Sequence, residues 1–197
     1  MIKFVAVFLI VIFSFLSHHR NSVWKNEYTL WYDAVRKSPK RMSPRINLGN
    51  AYIRRGVLDR AEKEFLAARA IYGDDSRVLS GLCVVYYQKG LLDKAIETCR
   101  HLTEVKPGFP PGHNNLGVAL MEKGLLDEAI REFGRTIQLD KNFSDAYANL
   151  GFAYKKKGMF KDAKQELEKS LELNPELGNA RKHLREVVQS LTAPPPP

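Results

Sequence analysis

The sequence is poor in the residue patterns that build catalytic and metal sites. It has two cysteines, Cys83 and Cys99, and neither belongs to a CxxC motif or a Cys/His cluster. This excludes a disulfide-rich secreted scaffold and a zinc module. There is no phosphate-binding loop, no GxSxG and no HExxH, and the five histidines are scattered. We therefore expect no catalytic residue, no cofactor, no metal and no enzymatic activity.

The body of the chain also lacks a strong excess of charge of one sign. The formal net charge is +9, but residues 42–177 hold 21 Lys or Arg against 19 acids. Residues 1–41, by contrast, hold seven basic residues against two acids. Because the excess lies at the ends rather than in a patch, we expect no nucleic-acid partner.

One apolar run stands out, from Phe4 to Leu16, where 13 uncharged residues follow Lys3. A membrane helix needs about 20 such residues, and the short length fits the core of a signal peptide. No small-x-small cleavage motif follows the run, however, and this favours an uncleaved anchor. We predict that residues 2–17 contact the membrane, with a signal peptide as the alternative.

A 34-residue period dominates the rest of the chain. It is marked by four glycines, Gly56, Gly90, Gly124 and Gly158, each followed five positions later by alanine. Apolar residues recur every three or four positions in each half-unit, which predicts two amphipathic helices joined at the glycine. In the fourth unit these helices are expected at about 144–156 and 160–173.

This pattern resembles the tetratricopeptide repeat (TPR) family, in which a Leu-Gly pair precedes an aromatic residue, a turn glycine, alanine and proline. The resemblance covers residues 42–175, and it departs from the consensus at Cys83 and Leu120. It implies an all-α TPR solenoid of four helix-turn-helix repeats, with a capping helix behind and an apolar membrane helix in front. The predicted boundaries are an anchor or signal-like segment (1–20), a juxtamembrane partial TPR helix (21–41), four repeats (42–75, 76–109, 110–143 and 144–177), a capping helix (178–192) and a proline-rich tail (193–197).

Counting the period backward places an orphan second helix of a further unit at residues 24–37. The stretch from Arg20 to Trp31 before the array resembles the junction of polytopic mannosyltransferase-like membrane proteins with C-terminal TPRs. This second resemblance implies an alternative role for the chain: the partner-recruiting tail of a membrane glycosyltransferase whose catalytic part is absent here. That resemblance favours extracytoplasmic repeats, whereas the basic flank favours the cytoplasm. We predict a single-pass membrane protein and leave the side open.

In TPR arrays the first helix of each unit lines a concave groove. Three asparagines recur at the sixth position of these helices, Asn47, Asn115 and Asn149. Such amides can pair with the backbone of an extended peptide, and they resemble the asparagine ladder of O-GlcNAc transferases. The alternative is that these amides only pack the turn. The predicted groove residues are Asn47, Asn50, Arg54, Tyr87, Asn114, Asn115, Met121, Asn149, Phe152, Lys155, Lys156 and Lys182.

The groove predicts a membrane-tethered scaffold for protein-protein interaction that binds a peptide or protein partner. Chaperone C-termini are not expected, because only one of the five carboxylate-clamp slots fits (Ile46, Asn50, Gly81, Pro111 and Asn115). Self-association by end-to-end stacking is a third interpretation. Cys83 and Cys99 are expected to point inward and to act as small apolar fillers.

Overall fold

The computed structural model describes residues 26–192 of the chain. In that range all regular structure is helical, and the residues fall into two compact units, 26–73 and 74–192. The prediction of an all-α fold is confirmed. Predictions for residues 1–25, including the apolar segment 2–17, and for the tail 193–197 lie outside the described residues.

Unit 1 contains helices α1 (Glu27–Lys37), α2 (Met42–Arg54) and α3 (Leu58–Tyr72). Helix α1 begins after Asn26, whose side chain accepts a hydrogen bond from the Thr29 N–H at 3.0 Å. It lies where the orphan helix is predicted, and it packs on α2 without burying any residue fully. The core of unit 1 therefore lies between α2 and α3, where Leu48 and Phe65 are buried.

Unit 2 contains three helix pairs and a final single helix within its described residues. The helices are α4 (Ser76–Gln88), α5 (Leu92–Val105), α6 (Pro110–Glu122), α7 (Leu126–Leu139), α8 (Ser144–Lys156), α9 (Phe160–Leu173) and α10 (Gly178–Thr192). Helices α8 and α9 begin and end at the predicted residues. Each pair packs on the next, and buried apolar side chains lie along the stack in clusters such as those around Phe133 and Leu167.

The curvature of unit 2 follows from which helices touch. Helix α4 contacts α6, α6 contacts α8, and α8 contacts α10. Within residues 74–192, the second helices α5, α7 and α9 make no such contacts with one another. The first helices are therefore closer together, and their layer forms the inner, concave side of unit 2.

The turn inside each pair depends on a glycine in the left-handed backbone region. Gly124 has φ +84°, and its N–H donates to the Met121 carbonyl at 3.1 Å. The next N–H, of Leu125, donates to the Leu120 carbonyl at 2.9 Å. These two bonds end helix α6 with a Schellman motif, which only glycine enters without strain.

A second set of small residues sets the distance between paired helices. A Cβ atom at Gly117 would lie 2.6 Å from the Phe133 ring, so the ring packs directly on the backbone of α6. Gly49 and Phe65 have the same relation in unit 1. In helix α10 the equivalent position holds an exposed arginine, Arg185, and α10 has no paired second helix in the described range.

In the pair α4–α5 the equivalent positions hold Cys83 and Cys99. Both side chains are buried, so their predicted inward position is confirmed. They form a disulfide with a Cα–Cα distance of 5.5 Å, and so they are bonded to each other rather than acting as separate fillers.

The prediction of a single-pass membrane protein is corrected. No helix in the described range is long and apolar enough to cross a bilayer. The longest helices have 15 residues and carry charged side chains, whereas a span needs about 20 mostly apolar residues. An apolar membrane helix in the fold, and the membrane as a partner, therefore find no support.

Candidate functional site

The predicted groove residues are divided between the two units. Asn47, Asn50 and Arg54 lie on α2 in unit 1. The other nine lie on α4, α6, α8 and α10 in unit 2. We call the concave side of unit 2 the inner face; its residues include Ser80, Tyr87, Asn114, Asn115, Asn149, Phe152, Lys155, Lys156, Lys182 and His183.

Two asparagine side chains of the inner face join successive first helices. The Asn115 amide donates to Ser80 Oγ at 3.1 Å, and the Asn149 amide donates to Asn114 Oδ1 at 3.0 Å. Each bond spans 35 residues and links α4 to α6 or α6 to α8. The asparagine ladder therefore has a structural role between repeats, and each amide uses one N–H for it.

The C-terminal end of the inner face is aromatic and basic. Phe152 on α8 stacks on His183 of α10, with ring centroids 4.2 Å apart and an interplanar angle of 13°. The Nζ atoms of Lys155 and Lys156 lie 5.6 and 5.1 Å from the Phe152 centroid, within cation–π range. The side chains of α8 and α10 thus form one continuous platform.

Lys155 is also held by a carboxylate. It pairs with Glu186 of α10, and His183 Nδ1 lies 3.3 Å from the same Glu186 oxygen. The hydrogen bond from Lys155, followed by that from His183, lowers the pKa of Glu186. Lys156 and Lys182 are exposed, so they are the cations that a ligand on this end of the inner face meets first.

Two further predicted residues differ in accessibility. Tyr87 on α4 is half-buried, and burial, with a contribution from the nearby Glu122 carboxylate, raises the pKa of its hydroxyl. That hydroxyl therefore remains a hydrogen-bond donor at neutral pH. Met121, in contrast, is 6% exposed and packs in the core with Leu120 and Phe133. The structure thus places Met121 beneath the inner face.

In unit 1, Asn47 and Asn50 are half-buried on α2. Arg54, at the end of the same helix, forms a 2.5 Å ion pair with Glu27 of α1. Both side chains of this pair are about half exposed, so solvent screens it. It links α1 to α2 rather than presenting an unpaired cation.

Sequence reasoning missed two partners of the predicted residues, Ser80 and Glu186, and it did not foresee that His183 stacks on Phe152. The sequence could have predicted the partner of Asn115. Ser80 lies 35 residues before Asn115, just as Asn114 lies 35 residues before Asn149. No such signal existed for the stack of Phe152 on His183, since it depends on the angle between α8 and α10.

Three family models of tetratricopeptide type match the chain. Two are described as tetratricopeptide repeat and match residues 46–108 and 144–177. The third, described as TPR repeat, matches residues 119–158. All three begin after residue 45, so they give no support to the mannosyltransferase-like junction or to the glycosyltransferase alternative. No curated protein matches the chain.

Solved structures resemble the chain at low sequence identity. TTC0263, a thermophilic TPR protein of Thermus thermophilus, has a TM-score of 0.75 and 19% identity, over 82% of this chain and 88% of its own. YrrB, a TPR protein with an unusual peptide-binding site, has a TM-score of 0.62 and 20% identity, over 88% of this chain and 89% of its own.

A third solved structure contains a peptide. The first TPR of Spaghetti (RPAP3), bound to the HSP90 peptide SRMEEVD, has a TM-score of 0.58 and 24% identity. The match covers 60% of this chain and 94% of that one. At these identities the three likenesses concern the fold alone.

Proposed function

Because the chain is built of tetratricopeptide repeats, we propose that it is a non-catalytic scaffold that binds an extended peptide segment of a partner protein. The peptide lies along the inner face of unit 2. Peptide binding by TPR proteins of similar fold, YrrB and Spaghetti, supports this role.

The proposal rests on the hydrogen bonding of the Asn115 and Asn149 side chains. Each amide donates one N–H to the neighbouring helix, and this bond fixes the side chain. In the described residues neither Oδ1 atom accepts a hydrogen bond, which leaves it free to accept one from a peptide N–H. Rigid amides lose little side-chain entropy on binding, so they favour a ligand whose backbone is extended.

Positive charge is concentrated at one end of the inner face, and this determines which side chains the ligand should carry there. Lys156 and Lys182 are exposed at the C-terminal end of the inner face, beside the platform of Phe152 and His183. Lys155 contributes less because Glu186 already neutralises it. A ligand with acidic side chains at this end is therefore favoured, and its affinity should fall as salt screens the charges.

The test uses the full chain and a display library of random linear peptides. Peptides selected on the wild-type chain are titrated against the double variant Asn115→Ala/Asn149→Ala. Loss of two hydrogen bonds to the peptide backbone should weaken binding by about tenfold or more. Far-ultraviolet circular dichroism and thermal melting of each variant show whether the fold is retained.

Asn142→Ala is the matched control, because Asn142 is exposed in the turn between α7 and α8, away from the inner face. Its affinity for the selected peptides should equal that of the wild type. Equal affinity of a folded double variant would contradict the proposal, as would a library that yields no binding peptide.

A further inference from the structure

One helix pair of unit 2 is held together differently from the others. In α6–α7 and α8–α9, a glycine on the first helix receives a large side chain from the second. A Cβ atom at Gly117 would lie 2.6 Å from the Phe133 ring, and one at Gly151 would lie 2.7 Å from Leu167. In α4–α5 the same two positions hold Cys83 and Cys99, 16 residues apart and bonded to each other.

The two cysteines do not form the wedge of the neighbouring pairs, in which one side chain reaches across to a glycine. Each cysteine contributes a short side chain from its own helix, and the sulfur–sulfur bond joins the two between α4 and α5. The pair α4–α5 is therefore held by a covalent link at the point where Phe133 and Leu167 hold the other pairs by packing. Reduction removes that link and with it the restraint on separating the two helices.

We propose that Cys83–Cys99 is a reversible redox site, which exchanges with low-molecular-weight thiols of the glutathione class and sets the stability of the α4–α5 pair. A thiolate attacks one cysteine sulfur, forms a mixed disulfide and releases the other cysteine as a thiolate, which takes up a proton. A second thiolate then attacks the sulfur of the attached small molecule, releases the remaining cysteine and leaves the small molecule as its disulfide. Two electrons pass to the protein, and two small thiols are oxidised.

Burial determines how this exchange is gated. Cys83 is 1% exposed and Cys99 is fully buried, so a thiol reaches them only when α4 and α5 open locally. The oxidised state restrains that opening, and the reduced state permits it. Helix α4 also carries Ser80 and Tyr87, so the inner face loosens at these residues when the bond is reduced.

The test is amide hydrogen exchange of the full chain, read by mass spectrometry, in buffers of oxidised or reduced glutathione. Reduction should raise exchange in residues 76–105 on the order of a hundredfold, the effect of removing a cross-link across a loop of this length. Exchange in residues 160–192 should change little. Alkylation after unfolding measures the redox state: no cysteine should react before reduction, and both should react after it.

Two variants separate the bond from the packing. Cys83→Gly/Cys99→Phe restores the wedge of the neighbouring pair, and its exchange should not respond to glutathione. Cys83→Ser/Cys99→Ser should exchange like the reduced wild type in either buffer. The proposal is overturned if both wild-type cysteines react without reduction, or if verified reduction leaves exchange in residues 76–105 unchanged. These wild-type outcomes decide the matter even if a variant does not fold.

Discussion

At the scale of single residues, Gly117 shows how closely paired helices depend on an absent side chain. In Gly117→Ala the new Cβ would lie 2.6 and 2.8 Å from Phe133 ring atoms, so α6 and α7 must separate. We expect a loss of about 1–3 kcal/mol in the free energy of unfolding, measured by urea denaturation.

Gly134→Ala is the control for this prediction. Gly134 lies in α7, and no atom lies within 4 Å of the position that a Cβ atom would take, so the change should stabilise the protein by up to about 1 kcal/mol. Equal losses at both sites would contradict this account.

Glu166 is a single residue that makes stability depend on pH. Burial, and then repulsion from Asp162, raises the pKa of its carboxyl in the folded state. The folded protein therefore binds this proton more tightly than the unfolded chain, and stability falls as pH rises from about 4.5 through the raised pKa. Glu166→Gln should raise the melting temperature at pH 7 but not at pH 3.5. Glu176→Gln, at an exposed site, controls for the lost charge; an equal gain there would refute the burial effect.

At the scale of elements, His113 ties helix α6 to its neighbours. It is 8% exposed, with Nδ1 2.7 Å from a Glu132 oxygen on α7 and Nε2 2.9 Å from the carbonyl of Pro107 before α6. His113→Ala leaves both oxygens without this partner. We expect a loss of about 1–3 kcal/mol in urea denaturation.

His101 provides the comparison for this prediction. It pairs with Asp74 at 2.6 Å, but the two side chains are 39% and 36% exposed. His101→Ala should therefore cost less than about 1 kcal/mol, as exposed pairs do. A larger loss at His101 than at His113 would show that burial does not determine the strength of these contacts.

At the scale of the whole molecule, the helix stack of unit 2 ends within the described residues at α10, which we predict caps it. Val187 is fully buried against the last helix pair, together with Ala180 and Leu167, whereas the adjacent Val188 is 38% exposed. Val187→Asp places an unpaired charge in the core and should cost about 3 kcal/mol or more. Val188→Asp should change stability by less than about 0.5 kcal/mol. If both variants melt at the same temperature, α10 does not cap the stack as described.

Much of this architecture follows from the sequence because its determinants are local. A turn glycine such as Gly158 and the apolar spacing on either side of it predict α8 and α9 to the residue. The close approach at Gly151 and the inward position of Cys83 follow from the same helical periodicity. These features need only the geometry of one helix pair.

The features that sequence reasoning missed depend on distances between elements. The bond between Cys83 and Cys99 requires a defined separation of α4 and α5, which the repeat period does not reveal. The stack of Phe152 on His183 depends on how α10 is oriented. Met121 was predicted in the groove, but it is 6% exposed and packs in the core, where contacts between elements bury it. Which residues contact the ligand stays a prediction until peptide binding is measured.

Arg185 has a consequence for how such a protein can change in length. Its position corresponds to Gly117 and Gly151, where a Cβ atom would lie 2.6 and 2.7 Å from a side chain of the packed second helix, and to Cys83, whose small side chain admits one. A designer who wished to pair α10 with a new second helix would therefore first replace Arg185 with glycine or another small residue. Duplication of an internal repeat avoids this step, because the copy carries its own small residue and is inserted before α10.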